Sequence, residues 1–513
     1  MALGVAYNAA VETRRPRAGD EPSPDWLLTS ILKDISSRND RYVRLRRYTE
    51  GDPPKAEIPG AVKDEWVEFE NFRRASRTNF ASLVTAACLD KTIISSFRTA
   101  AQGDEDGDKA ADDLWETNDM PVKSDRVMFD MFTYGRGFLL ADPISETARD
   151  FRPWQAGVIR DMADQPLAGV TLEHNPVEGL DYAYLWQRDM GPHGIATGKV
   201  RVHIAVRERE NKTGRGDQFE REVPLGTYLP RNWYWWKTVE TDLESLPLTE
   251  FENRDGVGEF EHHTDVLDRI NHMILQRVVI VTMQAFRQRA VKGKLPKRDD
   301  KGAEIDYNKI FPASPGALWV LGEDQEIWES QQTTVQDILL SVKDDVRDLS
   351  SVTRTPMTYF QPDAANGSAE GASLANDAYT SKIEDRQRRN AGRWRQFMAN
   401  MFLISGDRER SSIRDIEVIY AKTDNRSLVD RFSAASQGAS IGIPLKTLMR
   451  EVLGWDSKTI RAAEIERIAQ TLTAAAATPV AGQEGQTPLQ RSSAAKASLE
   501  KTNGANSSAS AGQ

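Results

Sequence analysis

The stretch that decides the fold reads TDVLDRINHMILQRVVIVTMQA and runs from Thr264 to Ala285. Apolar residues recur in it every three or four positions, which predicts an amphipathic helix capped by Thr264 or Asp265. One apolar face consists of Leu267, Ile270, Ile274, Val278, Val281 and Ala285. A second apolar face consists of Val279, Ile280, Met283 and Phe286. A helix that is apolar on two sides is buried between neighbours, and in an extended protein those neighbours can be other subunits.

A second long helix is predicted to begin at Thr334. Its apolar residues at helical spacing are Val335, Ile338, Leu339, Val342, Val346 and Leu349. We expect it to end before Pro356, because proline lacks a backbone N–H and disfavours the helical conformation of the residue before it. Residues 294–328, between the two helices, contain Gly, Pro and short β-type runs such as Ala317–Leu321. The sequence therefore predicts two helices separated by a small α/β insert.

A loop and a third long helix follow this pair. The predicted loop, 357–373, contains Pro362 and Asn366-Gly367-Ser368, and it is long enough to be functional. The predicted helix, 374–405, contains the charged run Glu384–Arg389. We interpret this run as a solvated face with ion pairs four residues apart. The alternative interpretation is a surface turned towards a polyanion.

The first half of the chain is predicted to be helical and then rich in β-structure. Helical patterns cover 26–47, 71–97, 110–118 and 124–134. Short runs typical of a mostly antiparallel β region are Phe138–Ala141, Val158–Arg160, Thr171–His174, Ala183–Gln187, Val200–Arg207 and Thr227–Leu229. The aromatic cluster Trp233–Trp236 ends this region. We favour core or interface packing for it over base stacking.

The last hundred residues predict one strand, a few short helices and a tail. The strand is Ile413–Ala421, and the helices cover 427–437, 445–453 and 458–472. Residues 474–513 contain mainly Ala, Ser, Gly, Gln and Thr and no aromatic residue, so they are predicted to be disordered.

Composition excludes several classes of function. The chain has 513 residues and a formal net charge of −10, whereas proteins that grip DNA by neutralising phosphates are usually basic. Any contact with nucleic acid is therefore expected to be loose, local or sliding. The single cysteine, Cys88, excludes internal disulfides and multi-cysteine zinc sites, and no apolar run is long enough to cross a membrane.

Four motifs resemble catalytic or metal-binding patterns, and for each we prefer an interpretation without catalysis or metal binding. They are the G-x-S-x-G of Gly438–Gly442, the P-loop-like Gly194–Val200, the acidic run Asp104–Asp108, and His262-His263 with His272. No histidine follows Ser440, and Val200 stands where a P-loop needs Ser or Thr. We interpret the first two as a loop and a hairpin turn, and the acidic run as solvated. The sequence thus predicts no enzyme, no metal site and no cofactor.

Several segments, in their order along the chain, resemble the portal (head-to-tail connector) proteins of tailed bacteriophages, especially the siphophage family and its actinobacteriophage members. The segments are LWETNDM (114–120), YGRG (134–137), PLTEFENR (247–254), DVLDRIN (265–271), TRTP (353–356), NGSAE (366–370) and KIEDRQ (382–387). Together they cover roughly Trp26–Leu472. Residues 142–226 depart from the family's pattern.

The resemblance implies an α+β portal fold in a ring-forming subunit. Its parts would be a flexible arm (1–24), an α/β wing (25–263), stem helix 1 (264–292), an α/β clip (293–333), stem helix 2 (334–350), a tunnel loop (351–373), a long spine helix (374–405), a wing return strand (406–426), a helical crown (427–475) and a disordered tail (476–513).

The resemblance also implies roles for individual residues. The tunnel loop would face DNA in the channel through Arg354, Thr355, Met357, Thr358, Tyr359, Gln361 and Asn366. The clip would dock terminase and adaptor through Lys294, Lys297, Arg298, Trp319 and Trp328. The stem would pack through Ile270, Ile274, Val278, Val281, Ile338, Val342 and Val346.

The implied assembly is a homo-oligomer of about twelve subunits at one capsid vertex of the virion. Double-stranded DNA would pass through it during packaging and ejection. The implied partners are the major capsid protein and scaffold, the terminase large subunit and the head-completion adaptor, with assembly in the bacterial cytoplasm and no membrane. Two alternatives stay open: another virion structural or adaptor protein, and a DNA-processing enzyme, which would need a P-loop or an acidic metal cluster.

Overall fold

A computed structural model describes most of the chain. The described residues are 15, 21–54, 67–99, 101, 107–190, 195–208, 233–285, 289–292, 298, 302, 304, 326–329, 335–361, 369–421, 428–455 and 457–477. Helices and antiparallel sheets both contribute, so the prediction of an α+β fold is confirmed. None of the described helices is long and apolar enough to span a membrane.

The predicted helix over 26–47 is two helices, α1 (Pro24–Ser37) and α2 (Asn39–Thr49). The Ser23 side chain caps α1 by accepting a hydrogen bond from the Trp26 N–H at 3.2 Å. The break falls at Arg38, which is the C-cap of α1 and the N-cap of α2. Ser, Asn and Asp flank this position, and their side chains compete with the helix for backbone hydrogen bonds.

The helix predicted over 71–97 is also wrong in part. The chain forms α3 (Val67–Ala75) and α4 (Phe80–Leu89), and then the strand β1 (Ile94–Arg98). β1 pairs antiparallel with a strand over Glu417–Tyr420, which lies within the strand predicted at Ile413–Ala421. This pairing between distant parts of the chain overrides the local helical pattern at Ile94–Phe97.

The next two helices, α5 (Lys109–Thr117) and α6 (Met120–Tyr134), agree with the sequence. Asp108, however, is not part of a solvated acidic loop. It is buried, caps α5 by accepting from the Ala110 N–H at 2.7 Å, and accepts from Arg410 Nε at 2.6 Å. Residues 104–106 lie outside the described part of the chain.

Gly135 ends α6 with φ of 86° and brings the chain close to Gly256. A Cβ at Gly135 would lie 2.1 Å from the Gly256 carbonyl oxygen. Both the left-handed conformation and the close approach therefore require glycine here.

The region predicted to be mostly antiparallel β-structure forms two antiparallel sheets. The first has the order β3-β2-β9, and the second has the order β4-β5-β6-β7-β8. The strands are β2 (Arg136–Asp142), β3 (Thr147–Phe151), β4 (Ala156–Arg160), β5 (Pro166–Asn175), β6 (Leu180–Met190), β7 (Ala196–Glu208), β8 (Tyr234–Glu240) and β9 (Leu248–Glu252). Phe138 and Leu248 of the first sheet pack in one core cluster with Trp186 and Val202 of the second. The strand predicted at Thr227–Leu229 lies outside the described residues.

The aromatic cluster Trp233–Trp236 does not end the β region, because it leads into β8. Trp233 is buried against α1 and β5, as the packing interpretation predicts. Trp236 is 59% exposed and lies edge-on to Tyr182, with ring centroids 6.4 Å apart. One ring of the cluster is therefore core and another is surface.

The two long helices are present with shorter bounds, and most of the insert between them lies outside the described residues. The first helix, α7, covers Thr264–Ala285, and the second, α8, covers Gln336–Thr353. The predicted helical end is wrong at 289–292, because β10 (Arg289–Lys292) pairs antiparallel with β11 (Glu326–Glu329), and 286–288 lie outside the described residues. β-branched Val291 and Ile327, which are opposite each other, favour a strand here.

The predicted tunnel loop, 351–373, is partly helical. Ser351–Thr353 complete α8, Met357–Phe360 form the one-turn helix α9, and α10 already begins at Ala369. α10 extends over Ala369–Ile404, which confirms the long helix predicted over 374–405. Its Trp394, Phe397 and Phe402 lie in a core cluster with residues of α6 and β9.

The last described elements are β12 (Glu417–Tyr420), α11 (Leu428–Ser440), α12 (Leu445–Leu448), one π-helical turn (Met449–Leu453) and α13 (Ser457–Ala477). They match the three predicted helical segments. Gly438–Ser440 are the last residues of α11, so the loop predicted at Gly438–Gly442 is wrong for its first three residues. Helix α13 also includes Ala474–Ala477, which the sequence analysis assigned to the disordered tail.

Candidate functional site

The α7–α8 pair contains the residues predicted to pack in the stem. Ile270 and Val346 are buried in one cluster with residues of α2 and α4. Ile274, Val278, Ile338 and Val342 are half-buried. Arg269 Nε of α7 pairs with Asp345 Oδ1 of α8 at 2.8 Å. The two helices therefore pack together at the ends near the rest of the subunit.

Apolar side chains are exposed in the part of the α7–α8 pair that lies farther from the rest of the subunit. Val281 is 50% exposed, Leu340 is 54% exposed, and Leu339 is also exposed. Val281, a predicted stem-packing residue, is therefore only half covered within one subunit. Val281 belongs to the first apolar face of the predicted helix, and Leu339 and Leu340 belong to α8, so apolar surface is exposed on both helices of the pair.

α7 is tied to the N-terminal helices by polar contacts that the sequence analysis missed. Tyr48 Oη donates to Asp268 Oδ1 at 2.7 Å. The backbone N–H of Thr78 donates to Asn271 Oδ1 at 2.9 Å. Arg41 Nη2 pairs with Glu261 Oε2 at 2.6 Å, just before α7 begins. These contacts fix the direction in which α7 leaves the body of the subunit.

The C-terminal end of α8 is closed by a compact hydrogen-bonded turn. Arg354 adopts the left-handed conformation with φ of 51°, and the Thr355 N–H donates to the Ser350 carbonyl oxygen at 3.0 Å. Ser350 Oγ donates to the Thr355 carbonyl oxygen at 2.6 Å. Glycine is the usual residue at this position, and an arginine there costs about 1 kcal/mol.

A buried charged cluster joins this turn to α10 and to the chain that enters α7. Lys382 Nζ donates to the Thr353 carbonyl oxygen at 2.8 Å and pairs with Glu259 Oε2 at 3.0 Å. Arg386 Nε pairs with Glu259 Oε1 at 2.7 Å, and Asn253 Nδ2 donates to the same oxygen at 3.0 Å. We call Glu259, Lys382 and Arg386 the junction cluster.

The cations of the junction cluster keep Glu259 ionised. Burial by itself would raise the pKa of the Glu259 carboxyl. The charges of Lys382 and Arg386 and their hydrogen bonds outweigh burial and lower that pKa to about 2. The carboxylate is only 4% exposed, so its charge is balanced within the protein rather than by water.

A cavity of about 500 Å³ opens beside the junction cluster. We call it the corner cavity. Its walls come from the chain before α7, the end of α8 and the middle of α10. The lining residues used below are Asn253, Arg254, Lys382, Arg386, Arg354 and Arg388.

The predicted tunnel-loop residues differ in how far their side chains are exposed to solvent. Arg354 and Thr358 are exposed, Gln361 is half-buried, and Thr355 is buried in the turn after α8. Met357 packs on the cluster that contains Val346, and Tyr359 Oη lies 3.4 Å from Tyr379 Oη. Asn366 lies outside the described residues. Thr355, Met357 and Tyr359 therefore anchor the segment within the subunit.

The predicted clip residues are described only in part. Arg298 is exposed and forms an isolated antiparallel bridge with Glu304. The backbone of Trp328 lies in β11 opposite Ala290. Lys294, Lys297 and Trp319 lie outside the described part of the chain.

The charged run Glu384–Arg389 on α10 is partly solvated and partly turned into the protein. Asp385 Oδ2 pairs with Arg389 Nε at 2.8 Å, four residues apart as the solvated interpretation predicts. Arg386, in contrast, points inwards to Glu259. Helical spacing places Lys382 and Arg386 on one face, and this spacing is the signal in the sequence that could have identified the junction cluster. Nothing nearby in the sequence identifies Glu259 as their partner.

The described residues contain no group of three or more His, Cys, Asp or Glu side chains arranged to hold a metal ion. His262 and His263 precede α7, and His272 Nε2 lies 2.8 Å from Gln276 Nε2.

Comparison with known proteins gives one family match. The family described as "Phage portal protein, SPP1 Gp6-like" matches residues 204–476, which is more than half of the chain. No curated protein matches. A chain in the solved structure "Neck of empty GTA particle computed with C6 symmetry" is 12% identical, with a TM-score of 0.42. The match covers 78% of this chain and 97% of that chain.

Proposed function

The chain belongs to the SPP1 Gp6-like phage portal protein family, and from this premise we propose that about twelve copies form a ring at one capsid vertex. A phage portal protein is a structural component of the virion, so the chain is not an enzyme. The observation that carries the proposal is the extent of the family match. Residues 204–476 include both long helices, the insert between them, α10 and the helices that follow.

The exposed apolar side chains of α7 and α8 support the ring. In the proposed assembly, Val281, Leu339 and Leu340 of one subunit pack against the α7–α8 pair of the next. A heterologous contact of this kind closes into a ring when the rotation between neighbours divides a full turn. The α7–α8 pairs would then form the stem around a central channel.

The charge of the chain supports passage of DNA rather than tight binding. Each firm contact to a phosphate adds salt-dependent affinity and slows sliding. A subunit with a net charge of −10 makes few such contacts. We propose that double-stranded DNA moves through the channel during packaging and ejection, and that exposed residues after α8, such as Arg354 and Thr358, face it.

The insert between α7 and α8 is the proposed clip. The β10–β11 pair closes its base, which holds the ends of the insert together. We propose that residues 293–333 dock the terminase large subunit during packaging and the head-completion adaptor afterwards. The major capsid protein and scaffold would contact the ring at the vertex while it assembles in the bacterial cytoplasm.

Mass photometry of the purified chain tests the ring. We expect a dominant species at about twelve times the 57.5 kDa mass of the chain. If the chain stays monomeric alone, the measurement is repeated after coexpression with the scaffold and capsid proteins. A monomer or a dimer under both conditions would contradict the proposal.

A further inference from the structure

The corner cavity contains more positive than negative charge. Lys382 and Arg386 are largely buried, and they line its inner wall. Arg254, Arg354 and Arg388 are exposed, and they lie at its rim. Glu259, Asp255 and Asp385 are the carboxylates among the residues that line the cavity.

Those carboxylates are already engaged. Glu259 accepts from Lys382 and Arg386. Asp385 pairs with Arg386, Arg388 and Arg389. Asp255 is exposed and lies beside Arg254, with Nε and Oδ2 3.8 Å apart. Within the described residues, no carboxylate pairs with Arg354.

The backbone at Arg354 adds a second, independent observation. The left-handed conformation that ends α8 favours glycine, yet the chain places a guanidinium group there, at the rim of the cavity. Arginine is the side chain best suited to bind a phosphate-like oxyanion, because its planar donors match the oxygens.

Asn253 and His263 also line the cavity. Asn253 is buried, and its Oδ1 has no hydrogen-bond partner. Because that oxygen is fully buried, a ligand in the cavity does not reach it, and the arginines are the groups available to such a ligand. Burial lowers the pKa of His263, and the neighbouring charges of His262 and Lys382 lower it further, which shows that this corner disfavours added positive charge.

We propose that the corner cavity is a binding site for a phosphate-class oxyanion, with Arg354, Arg254 and Arg388 as its cationic ligands. A cavity of about 500 Å³ has room for a phosphate group and excludes a duplex. Free phosphate and a DNA backbone phosphate at the rim share the required chemistry. Binding of free phosphate does not depend on the proposed portal ring.

Calorimetric titration of the full chain with inorganic phosphate, at constant ionic strength, tests the site. The informative variant is Arg354→Gly, since glycine suits the left-handed backbone and the substitution removes the whole side chain with its guanidinium. We expect its melting temperature to equal or exceed that of the wild type. We also expect its phosphate affinity to fall about tenfold, as for the loss of one charge-assisted hydrogen bond.

The matched control is Arg347→Gln, an exposed arginine of α8 that does not line the cavity. Its phosphate affinity should stay within about twofold of the wild type. No phosphate binding by the wild type, or equal affinity in the wild type and Arg354→Gly, would overturn the proposal. Loss of ring assembly in Arg354→Gly without phosphate binding by the wild type would also overturn it, and would assign Arg354 to a subunit contact.

A second titration distinguishes the sources of the oxyanion. Binding of a fluorescent DNA duplex is measured by anisotropy in the wild type and in Arg354→Gly. If phosphate competes with the duplex and the variant binds the duplex more weakly, the site takes a backbone phosphate. If duplex binding is unchanged while phosphate binding is lost, the site takes free phosphate. Either result supports the site itself.

Discussion

At the residue scale, Lys382 links three parts of the subunit. Its ammonium group caps the last turn of α8 at the Thr353 carbonyl oxygen and neutralises Glu259 in the chain before α7. Because Lys382 belongs to α10, one buried side chain fixes α8, α10 and the start of α7 relative to one another. The turn that leads into the proposed tunnel loop therefore starts from a rigid point.

Replacing Lys382 with Met should destabilise the subunit by about 3 kcal/mol, because a buried carboxylate loses one of its two cations and α8 loses its cap. Urea denaturation followed by circular dichroism measures the change. Lys343→Met, at an exposed position of α8, is the matched control and should change stability by less than about 0.5 kcal/mol. Equal stability of the two variants would show that the junction cluster contributes little.

Glu259 makes the stability of the subunit depend on pH. Its folded pKa of about 2 lies below the ordinary value of 4.5, so its contribution is full above pH 4.5 and is lost as the pH falls towards 2. The contribution amounts to about 3 kcal/mol. The difference in unfolding free energy between wild type and Glu259→Gln should therefore shrink over this window. A difference that stays constant from pH 5 to pH 2.5 would contradict the assignment.

At the element scale, the exposed face of the α7–α8 pair is the proposed contact between subunits. Leu340→Asp adds a charge to this face at a position that is already 54% exposed. The variant should fold with nearly unchanged stability, since exposed substitutions cost little. It should fail to form rings, because the charge would be buried against the next subunit. Size-exclusion chromatography with light scattering measures assembly.

Met162→Asp is the matched control for this variant. Met162 is 93% exposed on the turn between β4 and β5 and lies away from the α7–α8 pair. This control should assemble like the wild type. Normal rings from Leu340→Asp would remove Leu340 from the interface.

Elements with strong local patterns were predictable from the sequence. The 3- and 4-residue spacing in Thr264–Ala285 identified α7, and the alternation in Val200–Arg207 identified β7, because one face of each element is buried. The strand at Ile94–Arg98 was not predictable. Its partner lies more than 300 residues away, and only that pairing makes the segment extended.

The candidate site was predictable only in outline. The sequence predicted a functional loop after α8, and the family resemblance implied that Thr355 and Tyr359 face a channel. Within the subunit both side chains hydrogen-bond to other side chains, and the sequence did not predict these contacts. The junction cluster was not predicted because Glu259 and Lys382 are more than 120 residues apart. No local sequence pattern indicates a contact between residues so far apart.

At the scale of the whole molecule, the isolated subunit exposes apolar surface that other subunits can cover. The last helices expose several large apolar side chains, which are Val429, Phe432, Ile465, Ile468 and Leu472. Together with the α7–α8 face, they leave apolar surface at two distant parts of the chain. A soluble monomer rarely tolerates this amount of exposed apolar surface, whereas a ring covers it.

In the proposed ring, α7 and α8 surround a channel for DNA. Electron cryomicroscopy of the purified assembly, reconstructed without imposed symmetry, tests it most directly. We predict a closed ring of about twelve subunits with the α7–α8 pairs around an axial opening on the order of 20–30 Å, wide enough for duplex DNA. A closed oligomer without an axial opening, or a ring in which α7 and α8 lie on the outer surface, would contradict the account.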